Sequence, residues 1–244
     1  MTGTYIELVG VAGAGKTSVA NILVDEAQKR EIVIRTRDAV GKNLLLRVKT
    51  IYNIATIVLL MPEVLALYLV RTRRAYAHTP HVREIIRNLI TRLIVDTAVV
   101  RCLQRQSSGY LLNDEGLLGK LVSLSVLTEI APSKTQILME KLLPTPAVLM
   151  YVSAPSPIAL AREHERDIAL PFFNKMADEL KETFFLEAVQ RYSALAETKA
   201  SISNVETISI NNAGTYDELT KEVASVTKTL CAVVSPSKNG RFSE

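Results

Sequence analysis

Apolar and β-branched residues gather in five short runs along this chain, separated by longer stretches of helical period. The runs are Thr4 to Val9, Ile32 to Thr36, Tyr110 to Asn113, Ala147 to Val152 and Val205 to Ile210, each the length of a strand buried on both faces. Helical stretches lie between them at Lys16 to Arg30, about Lys42 to Gln106, Leu117 to Leu143, an interrupted one from Pro157 to Thr198, and Tyr216 to Val233. Strands that alternate with helices make crossover connections, so the pattern predicts an α/β fold, a five-stranded parallel sheet between two helical layers. A single domain over 1–234 follows, with a helical insertion at about 42–106 between strands 2 and 3 and a polar, frayed tail at 235–244. In such sheets the chemistry sits at the carboxyl ends of the strands.

The first of those ends carries the strongest motif. Residues Gly10 to Thr17 read GVAGAGKT, directly after the YIELV strand and directly before a helix. Gly10, Gly13 and Gly15 permit backbone conformations that turn successive N–H groups inward around phosphate oxygens at a helix N-terminus. The loop Gly10, Ala12, Gly13, Ala14, Gly15, Lys16, Thr17 and Ser18 is therefore the expected nucleotide cradle. Lys16 is placed to reach the β and γ phosphates, and Thr17 to hold Mg²⁺. The fold class sharpens to a P-loop NTPase three-layer sandwich.

The third strand ends in Asn113-Asp114-Glu115-Gly116. A carboxylate at that place meets the Mg²⁺ shell opposite the phosphate loop, directly or through water, so Asp114 and then Glu115 are the metal-side candidates. The competing reading is an acidic turn that caps the next helix.

Composition adds limits. At 244 residues and 48% apolar the chain can bury a full core, and its formal charge of +4 suits anionic substrates. The Lys and Arg residues are scattered, so no nucleic-acid partner is expected. Cys102 and Cys231 stand far apart without a metal-ligand spacing, and no basic leader precedes the first strand; both features read as cytoplasmic. His78 and His81 flank Pro80 and read as surface or turn residues.

The insertion is the unusual part. Residues 50–70 carry one charge, Glu63, in a run long enough to resemble a membrane span. A span there would place strands 2 and 3 on opposite sides of a bilayer, although both belong to one sheet. Pro62-Glu63 suits the first turn of a new helix, so a packed helical hairpin is expected, with membrane spanning disfavoured. Arg71, Arg73 and Arg74 directly after the run leave shallow lipid contact open. An uncovered apolar face would serve a homodimer or an apolar acceptor. On the next helix Arg83 and Arg87 share a face at i,i+4 and Arg92 does not; Arg87 is the acceptor-binding candidate, against a solvated basic face.

Taken in order, these landmarks resemble the nucleoside and nucleotide kinase group of P-loop proteins, thymidylate kinases most closely. Thr36-Arg37-Asp38 is similar to that family's Thr-Arg-Glu element, which implies that Arg37 binds the acceptor and that Asp38 orients or deprotonates its hydroxyl. The run LLPTPAVLMYVSAPSPIALAREHERD resembles the fourth strand and the lid, about 160–175, with Arg162 and Arg166 as the arginines that clamp the transferring phosphate. TISINNAGTYDEL resembles the last strand, the adenine-side loop and the closing helix. The family's Asp-Arg-Tyr after the third strand is absent, and Asp-Ala-Val replaces the proline-containing turn after Arg37, so the reaction class transfers better than the acceptor.

The resemblance implies a kinase that uses ATP and Mg²⁺ to phosphorylate a small hydroxyl or phosphate acceptor. Lys16, Asp38, Arg162 and Arg166 are its catalytic candidates. The alternative is a regulatory P-loop ATPase acting with a protein partner. No Asn-Lys-x-Asp guanine-reading element occurs.

Overall fold

The computed structural model describes residues 3–36, 51–58, 61–105, 109–114, 116–164, 178–197 and 205–234. Five parallel strands form one sheet: β1 (Thr4–Val9), β2 (Ile34–Thr36), β3 (Tyr110–Asn113), β4 (Ala147–Ser153) and β5 (Val205–Asn211), in the spatial order β2-β3-β1-β4-β5. The helices are α1 (Lys16–Gln28), α2 (Ile51–Val58), α3 (Pro62–Ala66), α4 (Val82–Gln104), α5 (Leu117–Leu127), α6 (Pro132–Leu142), α7 (Ser156–His164), α8 (Asp178–Glu197) and α9 (Tyr216–Val234). The alternation of strands and helices is as the sequence predicts.

β1 is central because its backbone has partners on both edges. Glu7 lies opposite Asn113 on β3, and Val9 opposite Tyr151 on β4. Residues in register on parallel neighbours share a face. Tyr110, opposite Thr4, donates its hydroxyl to the Leu230 carbonyl of α9, which marks that face as the one covered by α1 and α9. Tyr5 and Glu7 face the other way, toward α4 and α5, which pack on each other, with α8 against α5. With helices on both sides, Tyr5, Ile6 and Leu8 are all buried, which explains why β1 reads as a nearly continuous apolar run.

Two expectations change. The stretch Leu117 to Leu143 is two helices. α5 stops at Leu127, after which Thr128 pairs with Thr72, the Arg73 N–H donates to the Leu127 carbonyl, and the Glu129 N–H donates to the Arg71 carbonyl. Those bonds use backbone groups that a continuous helix would need, and Pro132 restarts the helix where its missing N–H costs nothing. Among the described residues of the insertion, α2 and α3 meet at 79° and do not fold back as the expected hairpin. α3 does begin at Pro62 as expected.

The insertion joins the main core through Ile57, Val64 and Leu67. Ile51, Tyr52 and Leu69 remain exposed, Leu69 at 86%. Among the described residues no single helix is long and apolar enough to cross a membrane. α4 gives the insertion its anchor, since Ile86, Ile90, Leu93 and Thr97 form a buried stripe at helical spacing.

Burial separates two leucines of this region. Leu93→Ala, at a position fully buried on α4, should lower the free energy of unfolding by about 3 kcal/mol. Leu69→Ala should change it by less than about 0.5 kcal/mol. Urea titration of the two variants checks the pair.

Candidate active site

The loop between β1 and α1 is pressed from two sides. Gly13 and Gly15 take φ of +76° and +91°, in the left-handed region. A Cβ at residue 13 would run into the Ala159 carbonyl of α7, and one at residue 15 into the Asn212 side-chain amide. Asn212 is buried; its Nδ2 donates to the Ala14 carbonyl at 2.8 Å and its backbone N–H to the Ser153 carbonyl at 2.7 Å. The end of β5 is thereby tied to both β4 and the loop. Lys16 Nζ donates to the carbonyls of Gly10 (2.9 Å) and Val11 (2.8 Å), so its ammonium crosses the loop's mouth. Ala12 lines the cavity beside it, Ala14 is buried beneath, and Thr17 and Ser18 form the first turn of α1.

A cavity of about 200 Å³ opens from this loop. Its near end is lined by Gly10, Lys16 and Thr17, its floor by Asp114 and Gly116 after β3, and its far wall by Phe184, Phe185 and Tyr192 of α8. Thr17 and Asp114 thus share one space, as the sequence expects of a metal-side pair. Arg92 of α4 lines the cavity, whereas Arg87 is exposed and does not. The two lie five residues apart, about 140° around the helix. Arg162 of α7 stands beside the loop, its Nη1 at 3.9 Å from where a Cβ on residue 15 would lie. That nitrogen is buried and has no hydrogen-bond partner among the described residues. Arg37, Asp38, Glu115 and Arg166 fall outside the described residues.

Four polar side chains at or under the cavity, Tyr5, Glu7, Asp96 and Lys120, were not singled out from the sequence. Glu7 is fully buried on β1, accepting the Tyr5 hydroxyl at 2.9 Å and the Leu118 N–H at 2.6 Å. It acts as a cap for α5 supplied from another strand, because Gly116 at the N-cap position has no side chain to offer. Lys120 donates to Asp96 of α4 at 2.9 Å and to the Gly116 carbonyl at 3.2 Å. The signal available in the sequence was a charged residue within a strand expected to be buried on both faces. Burial raises the Glu7 carboxyl from its ordinary 4.5 to about 7, against lowering contributions from the Tyr5 and Leu118 hydrogen bonds and the Lys120 charge. Burial and the adjacent Glu7 push the Tyr5 phenol well above its usual value.

These residues fit a Mg-nucleotide. Gly10, Gly13, Gly15 and Lys16 line the cavity at the start of α1, and Arg162 Nη1 is a buried donor at its edge with no hydrogen-bond partner among the described residues. Mg²⁺ takes one or two protein oxygens and completes its shell with phosphates and water, so Thr17 and Asp114 are a sufficient donor set without a larger acidic cluster. No protein-family model matches the chain, and no curated protein does either. Among solved structures it is similar to deoxyadenosine kinase from M. mycoides with dCMP and dCDP bound, at 12% identity and a TM-score of 0.51, over 94% of this chain and 100% of that one. The dCTP complex of that kinase gives 12% and 0.52 over the same shares, and the dATP complex 10% and 0.51 over 93% and 99%. The chain has the fold of a P-loop nucleoside kinase. In this kinase fold the phosphate loop follows the central strand, so the cavity described above occupies the cleft at the carboxyl ends of β1 and β3.

The Glu7 carboxyl makes stability depend on pH with a definite sign. Its folded pKa is raised, so the unfolded chain ionises first; the stability present below about pH 4.5 is lost as pH rises to about 7, and the loss then levels off. The difference amounts to about 3 kcal/mol. Urea unfolding at pH 5 and pH 8 should show that component in the parent protein, and Glu7→Gln should remove it.

Proposed function

We propose that the protein is a Mg-ATP-dependent kinase that transfers the γ-phosphoryl group to a small-molecule acceptor held between the phosphate loop and α8. The observation that carries this reading is the continuity of the cavity: one space joins Lys16, Thr17 and Asp114 to a wall of Phe184, Phe185 and Tyr192. An aromatic wall facing the phosphate site suits a bound acceptor better than hydrolysis, which needs only a water there. The likeness to deoxyadenosine kinases makes deoxynucleosides the first acceptors to try.

The residues divide the work. Phosphoryl transfer depends on positioning and on positive charge around the equatorial oxygens. Loop N–H groups and Lys16 bind the β and γ phosphates, while Thr17 and Asp114 would hold Mg²⁺, which would supply neutralisation of the phosphate charge. Arg162, with its unmatched Nη1 beside Gly15, takes up charge on the transferring group, and Arg166 joins it if the lid is built as the resemblance implies. Arg92, at the cavity's edge, replaces Arg87 as the cation on the acceptor side. Arg37 and Asp38 keep the roles implied by the Thr-Arg-Glu resemblance, acceptor contact and hydroxyl orientation. The aromatic wall excludes water from the transfer.

Transfer of labelled γ-phosphate across deoxynucleosides, nucleoside monophosphates, sugars and lipid-linked alcohols, with phosphate release followed in parallel, tests the reading. A labelled acceptor is expected; phosphate release with no acceptor product across the panel would replace the kinase by an ATPase. Lys16→Ala should abolish transfer. Arg162→Ala should lower kcat by about a hundredfold or more while nucleotide affinity stays within about threefold, and equal losses in both would assign Arg162 to ground-state binding.

A further inference from the structure

We propose that Glu7 is a positioning residue for the metal: it grips the β3–α5 turn from beneath and so sets where Asp114 stands relative to the phosphate loop. This rests on the reading of the cavity as a Mg-ATP site. Glu7 is fully buried and does not line the cavity, so it touches no ligand itself. Its contacts nevertheless bracket Asp114 in sequence. On one side the Tyr5 hydroxyl that Glu7 accepts is itself the acceptor of Asn113 Nδ2 at 3.1 Å. On the other side the Leu118 N–H at the start of α5 donates to the same carboxyl. One buried group thus fixes the residue before Asp114 and the helix after it.

The turn also rests on the carboxyl by close contact. A Cβ at residue 116 would overlap the Glu7 side chain, so a larger residue there would force either the Glu7 carboxyl or the turn to move. Lys120 adds a tie from the side, joining the Gly116 carbonyl to Asp96 of α4. If the sole requirement were a capped helix, a serine or aspartate at residue 116 would supply it locally and without burying an acid. What the local cap cannot supply is a link to β1, the strand that runs straight into Gly10. Glu7 gives that link, setting the span between the two halves of the metal site, in the way that outer-sphere groups hold the ligands of other metal centres.

Two variants of the full chain test this, Glu7→Gln and Tyr5→Phe. Nucleotide binding in EDTA, read with a fluorescent ATP analogue, should stay within about twofold of the parent. Mn²⁺ binding in the presence of a non-hydrolysable ATP analogue, read by electron paramagnetic resonance, should weaken by about tenfold. Lower stability with unchanged Mn²⁺ affinity in the folded variants would overturn the proposal and leave Glu7 a structural cap. If Glu7→Gln does not fold, Tyr5→Phe decides, since it keeps the carboxyl and its bond to the Leu118 N–H and loses the hydroxyl that links Glu7 to Asn113. A parent protein that binds no Mn²⁺ with nucleotide would instead remove the Mg-ATP reading on which the inference stands.

Discussion

Crowding of backbone around the phosphate loop is the constraint on which the rest of the structure turns. The loop is approached by the Val152 carbonyl of β4 at Gly10, by the Ala159 carbonyl of α7 at Gly13, and by the Asn212 amide after β5 at Gly15. Its glycines serve a packing requirement as well as a phosphate. Because α7 is seated on Gly13, Arg162 one turn further on is delivered to the loop by a helix with a fixed footing. Because Asn212 bonds Ala14, the sheet's outermost strand takes part in shaping a loop that starts from its central one.

Electrostatics follows the same economy of space. A parallel sheet covered on both faces leaves little room for water, so each polar group beneath the cavity is held by another. Tyr5, Glu7 and Asn113 form one chain, and Lys120, Asp96 and the Gly116 carbonyl form a second. Buried ionic groups are poor stabilisers and are retained where they fix an arrangement. Both chains end on the turn between β3 and α5, where the family resemblance fails because Asp-Arg-Tyr is missing. Gly116 is the residue that lets Glu7 come so near.

Local pattern made the fold legible. β1 and β3 begin and end where apolar, β-branched runs do, and α3 starts at its proline because those signals act within a few residues. The break between α5 and α6 was less visible, since it depends on pairing of Leu127, Thr128 and Glu129 with Arg71, Thr72 and Arg73, more than fifty residues away. The same limit governs the site. The GVAGAGKT loop and Asp114 stand out by spacing, whereas that Arg92 and not Arg87 lines the cavity depends on the rotation of α4, which local pattern does not give. Glu7 and Lys120 each act through a partner that is distant in sequence or on another element, and no motif marks them; Asn212 lies within the TISINNAGTYDEL run, which does not reveal its bond to Ala14.

The Asn212 to Ala14 hydrogen bond spans 198 residues. A nascent chain therefore carries the whole GVAGAGKT loop long before it can hold that loop in its final shape, because the amide that braces it follows 198 residues later. Contacts of such long range are slow to close and leave partly built sheets exposed meanwhile. The loop gains its final shape late, and a chain cut short before β5 would keep the motif while lacking the brace that finishes it.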